Sequence, residues 1–187
     1  MHARRLVLVG VLLLAPVAAA RDRAVFVYPR ERAWFRRLFY TRHQKELKER
    51  VARQYDVDVH EQVATDDALF NIDVRGATVL VITGHGDPFS MYLSGRHRRT
   101  LDWTDRARLV AFFSKLDPNA TIVLQSCNTA HGFARLIKDA AGPTRRVIAA
   151  SGAVPRDGLE ITSLLPFDVT IHCDDAGRSW DCTFRLP

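Results

Sequence analysis

An α/β fold with a mostly parallel central sheet, helices on both faces and a C-terminal β-hairpin is what this sequence predicts, and three observations carry the prediction. Two apolar runs of strand length, Thr78-Val79-Leu80-Val81-Ile82-Thr83 and Ala120-Thr121-Ile122-Val123-Leu124, have the unbroken character of strands buried on both faces. Segments with helical spacing alternate with strand-like ones along most of the chain, the pattern of a parallel sheet covered by its crossover helices. Finally, Phe167 to His172 and Thr183 to Leu186 read as strands on either side of a turn-like stretch, Asp174-Asp175-Ala176-Gly177-Arg178.

Taken in order, Ala24 to Tyr28 is a first strand, ended by Pro29. From Glu31 to about Tyr55, Trp34, Leu38, Leu47 and Val51 recur at helical spacing between charged residues. Val57 and Val59 alternate with polar neighbours and suit a second strand; Asp66 to Ile72 suits one or two helical turns. The strand from Thr78 runs to Gly84-His85-Gly86, where Asp87-Pro88 turns the chain, and Ser90 to Ser94 is a short strand or a loop. Thr104 is placed to cap a helix over Asp105 to Leu116, with Leu109, Phe112, Phe113 and Leu116 on one face and Asp117-Pro118-Asn119 as its stop. The strand from Ala120 ends at Ser126. A helix from about Gly132 to Ala141 stops at Gly142-Pro143, and Val147 to Ala150 is another short strand. Ser151 to Pro166 reads as irregular.

Bulk properties narrow the function. Arg4 and Arg5, the apolar run Leu6 to Ala15 and the small residues Ala18-Ala19-Ala20 suit a secretory leader over residues 1–20, cut before Arg21, the alternative being an uncut N-terminal anchor. Its apolar stretch falls short of the roughly 20 residues a membrane span needs, and no later segment is long and apolar enough to cross. Residues 21–187 then form a single domain, secreted or periplasmic. Of the net charge of +6, two units lie on Arg4 and Arg5. The mild remaining excess gives no reason to expect a nucleic-acid partner. No Walker loop, dinucleotide fingerprint or Cys-x-x-Cys motif is present, which argues against kinase, dehydrogenase and thioredoxin chemistry.

There are three cysteines. A hairpin around Asp174 to Arg178 brings Cys173 and Cys182 together, and an oxidising compartment permits their disulfide. Cys127 is left over, a free thiol that is either useful or buried. The plainer alternative keeps all three reduced, with Cys127 a small buried hydrophobe.

His85 and Cys127 each follow a buried strand, separated by a strand–helix–strand length of chain. Adjacent parallel strands would present both at the C-terminal sheet edge, where open α/β sheets bind ligands. There an imidazole can take a thiol proton and later protonate a leaving amine. Gly86, lacking a Cβ, lets a substrate carbonyl approach the backbone, and the N–H groups of Gly86 and Cys127 can form an oxyanion hole. A helix starting after Cys127 would add a positive dipole end favouring the thiolate.

This arrangement resembles the caspase-like cysteine peptidases of clan CD, which include caspases, gingipains, legumains, separases and the CHAT-type proteases. In that group a His-Gly follows one buried strand and a Cys, after a small residue, follows a later one. The matching strings are Val79-Leu80-Val81-Ile82-Thr83-Gly84-His85-Gly86 and Ile122-Val123-Leu124-Gln125-Ser126-Cys127-Asn128-Thr129-Ala130. Against the caspase signature Gln-Ala-Cys with Gly two positions on, Gln125 and Cys127 agree, Ser126 is a small substitute and Thr129 departs. The resemblance spans Ala24 to Ala150, and closely only the two motifs. It implies a three-layer sandwich, His85 as general acid/base, Cys127 as nucleophile, Gly86 as an oxyanion donor, a peptide or protein substrate, and no metal or organic cofactor. In such proteases the strand and loop after the Cys segment shape the pocket for the residue before the scissile bond. Here that region offers Ser151, Gly152 and Asp157. Together with Asp87, it could face a basic substrate side chain, although both aspartates suit capping or solvated turn positions better.

Other features have plain readings beside functional ones. The basic helix from Glu31 carries glutamates that pair at i,i+4 and suits a solvated face. Arg96, Arg98 and Arg99 form a tighter cluster that could take an anionic ligand, or simply an exposed loop. His131 is a rival base without a strand to aim it, and His43, His60, His97 and His172 lack metal-ligand spacing. The expected activity is thus that of an exported cysteine endopeptidase. The alternatives are an inactive secreted peptide- or protein-binding module on the same fold and an anion-binding surface protein.

Overall fold

The computed structural model describes residues 21–30, 45–94 and 100–187. The expected leader, most of the basic helix with His43, and the Arg96, Arg98 and Arg99 cluster with His97 lie outside the described residues.

The chain opens with strand β1 (Asp22–Pro29), buried from Ala24 onward. Residues 45–51 are helical (α1), with Leu47 and Val51 turned inward. Strand β2 (Tyr55–Val63) follows, then α2 (Asp66–Phe70), capped by Thr65, whose Oγ1 accepts from Ala68 N–H at 3.1 Å. Strand β3 (Ala77–Thr83) is almost wholly buried. Beyond it β4 (His85–Gly86), β5 (Met91–Tyr92) and β6 (Thr100–Leu101) make a small antiparallel sheet. A 3₁₀ turn (Trp103–Asp105) leads into α3 (Arg106–Phe113), followed by β7 (Thr121–Gln125), α4 (Phe133–Ala141) and β8 (Arg146–Ala150). The last strands are β9 (Leu159–Leu164), β10 (Phe167–Asp175), β11 (Arg178–Asp181) and β12 (Thr183–Leu186).

The central sheet has six strands in the order β12-β8-β7-β3-β1-β2, parallel throughout except for β12. Successive side chains on a strand point to opposite faces, and β3 shows it. Leu80 and Ile82 join Ile122, Leu124, Leu69, Phe112 and Phe133 in a core beneath α2, α3 and α4. Val79 and Val81 join Val123 and Ile148 in a second core, covered by Leu47 and Val51 of α1 and by Ile161, Val169 and Ile171 of an antiparallel layer. Helices therefore lie on both faces, as expected, and on one face a sheet shares the work. Phe133 fills the middle of the helical layer, fully buried. Phe133→Ala is expected to cost about 3–5 kcal/mol in chemical denaturation, the range for removing a buried aromatic ring.

Four local expectations are corrected. The stretch Ser151 to Pro166 is not irregular throughout, because Leu159–Leu164 forms β9, with Leu159 and Ile161 buried against the second core. The C-terminal hairpin is made by β10 and β11; Thr183–Leu186 leaves it and pairs antiparallel with β8, from Thr183↔Ala150 to Leu186↔Val147. The hairpin still brings the cysteines together, and Cys173 and Cys182 form a buried disulfide with Cα atoms 5.7 Å apart. Thr104 does not cap α3; it lies inside the 3₁₀ turn that precedes the helix, and that turn is capped by Asp102, whose carboxylate accepts from Thr104 N–H at 2.8 Å while Asp105 reaches back to Asp102 N–H at 3.3 Å. The helix itself stops at Phe113, and Leu116 packs from the turn that follows. Among the described residues no helix is long and apolar enough to cross a membrane.

Candidate active site

Parallel pairing of β3 with β7 runs in register from Val79↔Thr121 to Thr83↔Gln125. His85 and Cys127 lie the same number of residues beyond that last pair, so both leave the sheet at one edge. A recess opens there. Its walls are Pro29 at the end of β1, Thr83 at the end of β3 with Gly84 and His85 beyond it, Gln125 at the end of β7 with Cys127 beyond it, and Val154, Pro155 and Arg156 from the loop after β8. It sits at the C-terminal ends of the strands, beside the point where the sheet order reverses between β1 and β3, which is where open α/β sheets hold ligands.

Cys127 is half-buried at the start of a tight turn. Asn128 adopts a left-handed conformation (φ 57°), tolerated by Asn better than by most residues. Its N–H donates to Gly152 O at 2.9 Å, and Ala130 N–H donates to Ala150 O at 3.0 Å, so the turn is strapped to the end of β8. The sulfur accepts from the Val154 N–H at 3.3 Å. The expected helix dipole is not aimed at it. α4 begins only at Phe133, and its first N–H groups are already engaged, Phe133 with Pro88 O and Ala134 with Thr129 O, both at 2.8 Å.

His85 is exposed at the rim, paired with Tyr92 across β4 and β5. Gly86 sits against the Cys127 turn: a Cβ there would lie 2.2 Å from Ser126 Oγ, 2.8 Å from Thr129 Cγ2 and 2.9 Å from Cys127 O. The Ser126 hydroxyl beneath it is buried without a hydrogen-bond partner. Only a residue without a side chain lets the two motif segments touch here.

The substrate-pocket residues inferred from sequence are not brought into the recess. The Asp87 carboxylate serves its own turn, accepting from Phe89 N–H (2.8 Å), Ser90 N–H (2.9 Å), Ser90 Oγ (2.8 Å) and the Tyr92 hydroxyl. Partial burial pushes this carboxyl up, but the bonds from Tyr92, Phe89 and Ser90 together outweigh it and hold it below its ordinary range. A carboxyl depressed on folding adds stability above its unfolded value, about 3.9, and loses it as pH falls through the folded value. Amide protection at Phe89 and Ser90 is therefore expected to weaken on acidification below about pH 4, and Asp87→Ala is expected to abolish it at neutral pH. Hydrogen exchange measures both.

Ser151 donates through N–H and Oγ to Cys182 O (3.0 and 3.2 Å), Gly152 belongs to the strap on Asn128, and Asp157 is exposed on the loop. His131 is exposed with Nε2 3.3 Å from Ser151 O and does not line the recess. His172 Nε2 lies 3.0 Å from Glu160, and no cluster able to hold a metal occurs among the described residues.

Sequence reasoning matched Gln125 to the motif but gave it no role in the site. Its buried amide accepts from Thr83 Oγ1 at 3.1 Å and donates to Arg156 O at 3.3 Å, while Gln125 O accepts from Gly84 N–H at 3.2 Å. It ties the His85 segment to the loop that carries Val154. The available signal was a polar residue closing an otherwise apolar buried strand.

No protein-family model matches the chain, and no curated protein does. Among solved structures it is similar to caspase-1 from Spodoptera frugiperda at 10% sequence identity, with a TM-score of 0.41. The match covers 73% of this chain and 62% of that one, so the chain spans less than two thirds of the caspase-1 it resembles. At that distance the likeness assigns no activity, which has to be argued from the site.

Proposed function

We propose that this chain is an exported cysteine endopeptidase in which Cys127 is the nucleophile and His85 the proton carrier. One observation carries the reading: the thiol and the imidazole leave neighbouring parallel strands in register and line the same recess. His85 takes the Cys127 thiol proton, and the thiolate so formed attacks the peptide carbonyl. The tetrahedral intermediate expels the amine, protonated by His85, and leaves an acyl-enzyme that water, deprotonated by His85, hydrolyses. The Gly86 and Cys127 N–H groups are the proposed oxyanion donors.

The substrate side chain beside the scissile bond is proposed to be neutral or acidic. Among the described residues Arg156 lines the recess and no carboxylate does, whereas Asp87 and Asp157, which suggested a basic residue, lie outside it. Export is supported by the leader-like residues 1–20 and by the buried disulfide, which suits an oxidising compartment. The test is covalent labelling with a peptidyl acyloxymethyl ketone. Cys127 is expected to be labelled, with His85→Ala lowering the rate; labelling indifferent to His85 would overturn the pairing.

A further inference from the structure

The segment Ser151 to Val154 is fastened on two sides. On one side it is bound to the disulfide hairpin. Ser151 N–H and Oγ donate to Cys182 O, Asp174 N–H donates to Ala153 O at 3.0 Å, and Gly152 is seated so closely that a Cβ would lie 2.9 Å from Cys173 Sγ and 3.2 Å from the Trp180 ring. On the other side it meets the Cys127 turn, through Asn128 N–H on Gly152 O (2.9 Å) and Val154 N–H on Cys127 Sγ (3.3 Å).

From these contacts the structure assigns a positioning role to the Cys173–Cys182 disulfide: it holds the Ser151–Val154 segment so that the Val154 N–H meets the Cys127 sulfur. The inference rests on the reading of Cys127 as nucleophile. A donor N–H stabilises anionic sulfur more than neutral thiol, because hydrogen bonds to charged acceptors are the stronger ones. The oxidised hairpin thus prepares the thiol for attack without touching substrate. No electron transfer is involved, since the disulfide stays closed and Cys127 stays reduced.

The experiment uses the full chain and reads the rate of Cys127 alkylation by iodoacetamide as a function of pH, by mass spectrometry, with folding checked by circular dichroism. Four variants separate position from stability: the double change Cys173→Ala with Cys182→Ala removes the bridge; Gly152→Ala keeps it but presses the segment off Cys173; Val154→Pro removes the donor N–H; and Val154→Ala retains it. Among the described residues the charged or titratable groups that line the recess with Cys127, His85 and Arg156, are unchanged in all four, as is His131 on the Cys127 turn. Expected is a loss of about tenfold in neutral-pH rate for the bridge-less chain, Gly152→Ala and Val154→Pro, with their rate profiles displaced to higher pH. Val154→Ala, which keeps the donor N–H but trims a wall of the recess, is expected to lose less than Val154→Pro; an equal loss in the two would overturn the assignment. Wild-type profiles in Val154→Pro and Gly152→Ala would overturn the assignment. Should the bridge-less chain fail to fold, those two variants decide it. Alkylation requires no peptide turnover, so peptidase activity surviving Cys127→Ala would overturn the proposed function while leaving this profile to judge the disulfide separately.

Discussion

Cys127→Ala is expected to abolish hydrolysis of a peptide library, and His85→Ala to lower kcat/KM by about 10²- to 10⁴-fold, the usual worth of a positioned proton carrier. The two effects should not add. With no thiolate to form a covalent intermediate, the imidazole has no proton to move, so the double variant should match Cys127→Ala alone. His131→Ala serves as the control, because its ring rests on Ser151 O outside the recess, and little change is expected. Product formation followed by mass spectrometry distinguishes these outcomes. Peptide bound but never cut by the wild-type chain would instead favour an inactive binding module on this fold.

Gly86→Ala is expected to produce the second large effect, through packing. The added methyl must occupy space held by Ser126 Oγ, Thr129 Cγ2 and Cys127 O, at 2.2, 2.8 and 2.9 Å. One of these atoms is backbone and the others belong to short, buried side chains, so none can swing away cheaply. Overpacking of this kind costs about 1–3 kcal/mol, and the strain falls on the junction between His85 and Cys127. A lower denaturation midpoint and a loss of turnover of at least tenfold are expected together. Ser126→Ala is the informative partner. Its hydroxyl has no hydrogen-bond partner, so removing it should be close to neutral in stability. Combined with Gly86→Ala it removes the nearest obstruction and should restore part of both losses. Failure of that rescue would place the strain at Thr129 or on the Cys127 carbonyl.

The parts of this architecture that were legible in sequence are those whose burial leaves a continuous mark. β3 and β7 are covered on both faces, so their apolar runs are unbroken, and the residue after each run announces itself as chemistry at a strand end. α4 was legible for the same reason, with an apolar stripe and a Gly142-Pro143 stop. What escaped was set by distant partners. β9 alternates buried Leu159 and Ile161 with exposed Glu160 and Thr162, but Pro155, Gly158 and Pro166 around it have the look of a loop. The choice of β12 between β10 and β8 is a long-range packing decision that four residues cannot record. Asp102 and Thr104 are both good caps two positions apart, and the carboxylate of Asp105 decided between them by reaching back to Asp102.

Within the site, the two strand-end motifs were visible because each stands alone at the end of its run. The walls were not. Asp87 and Asp157 attracted attention as charges, yet one is consumed by its own turn and the other faces solvent. Gln125, noticed only as a motif match, and the Val154 backbone hold the site together without carrying a charge. A main-chain donor such as Val154 N–H has no signature in sequence at all, since every residue except proline supplies one.

The recess takes its walls from Pro29, Thr83, Gln125 and Arg156, positions drawn from almost the whole span of the folded chain. No single hairpin or helix contains it. Contacts between such remote stretches form late, after the costly closing of long loops. A half-folded copy of the proposed enzyme would then be harmless to the cell that makes it, its cutting power arriving only when the last piece settles.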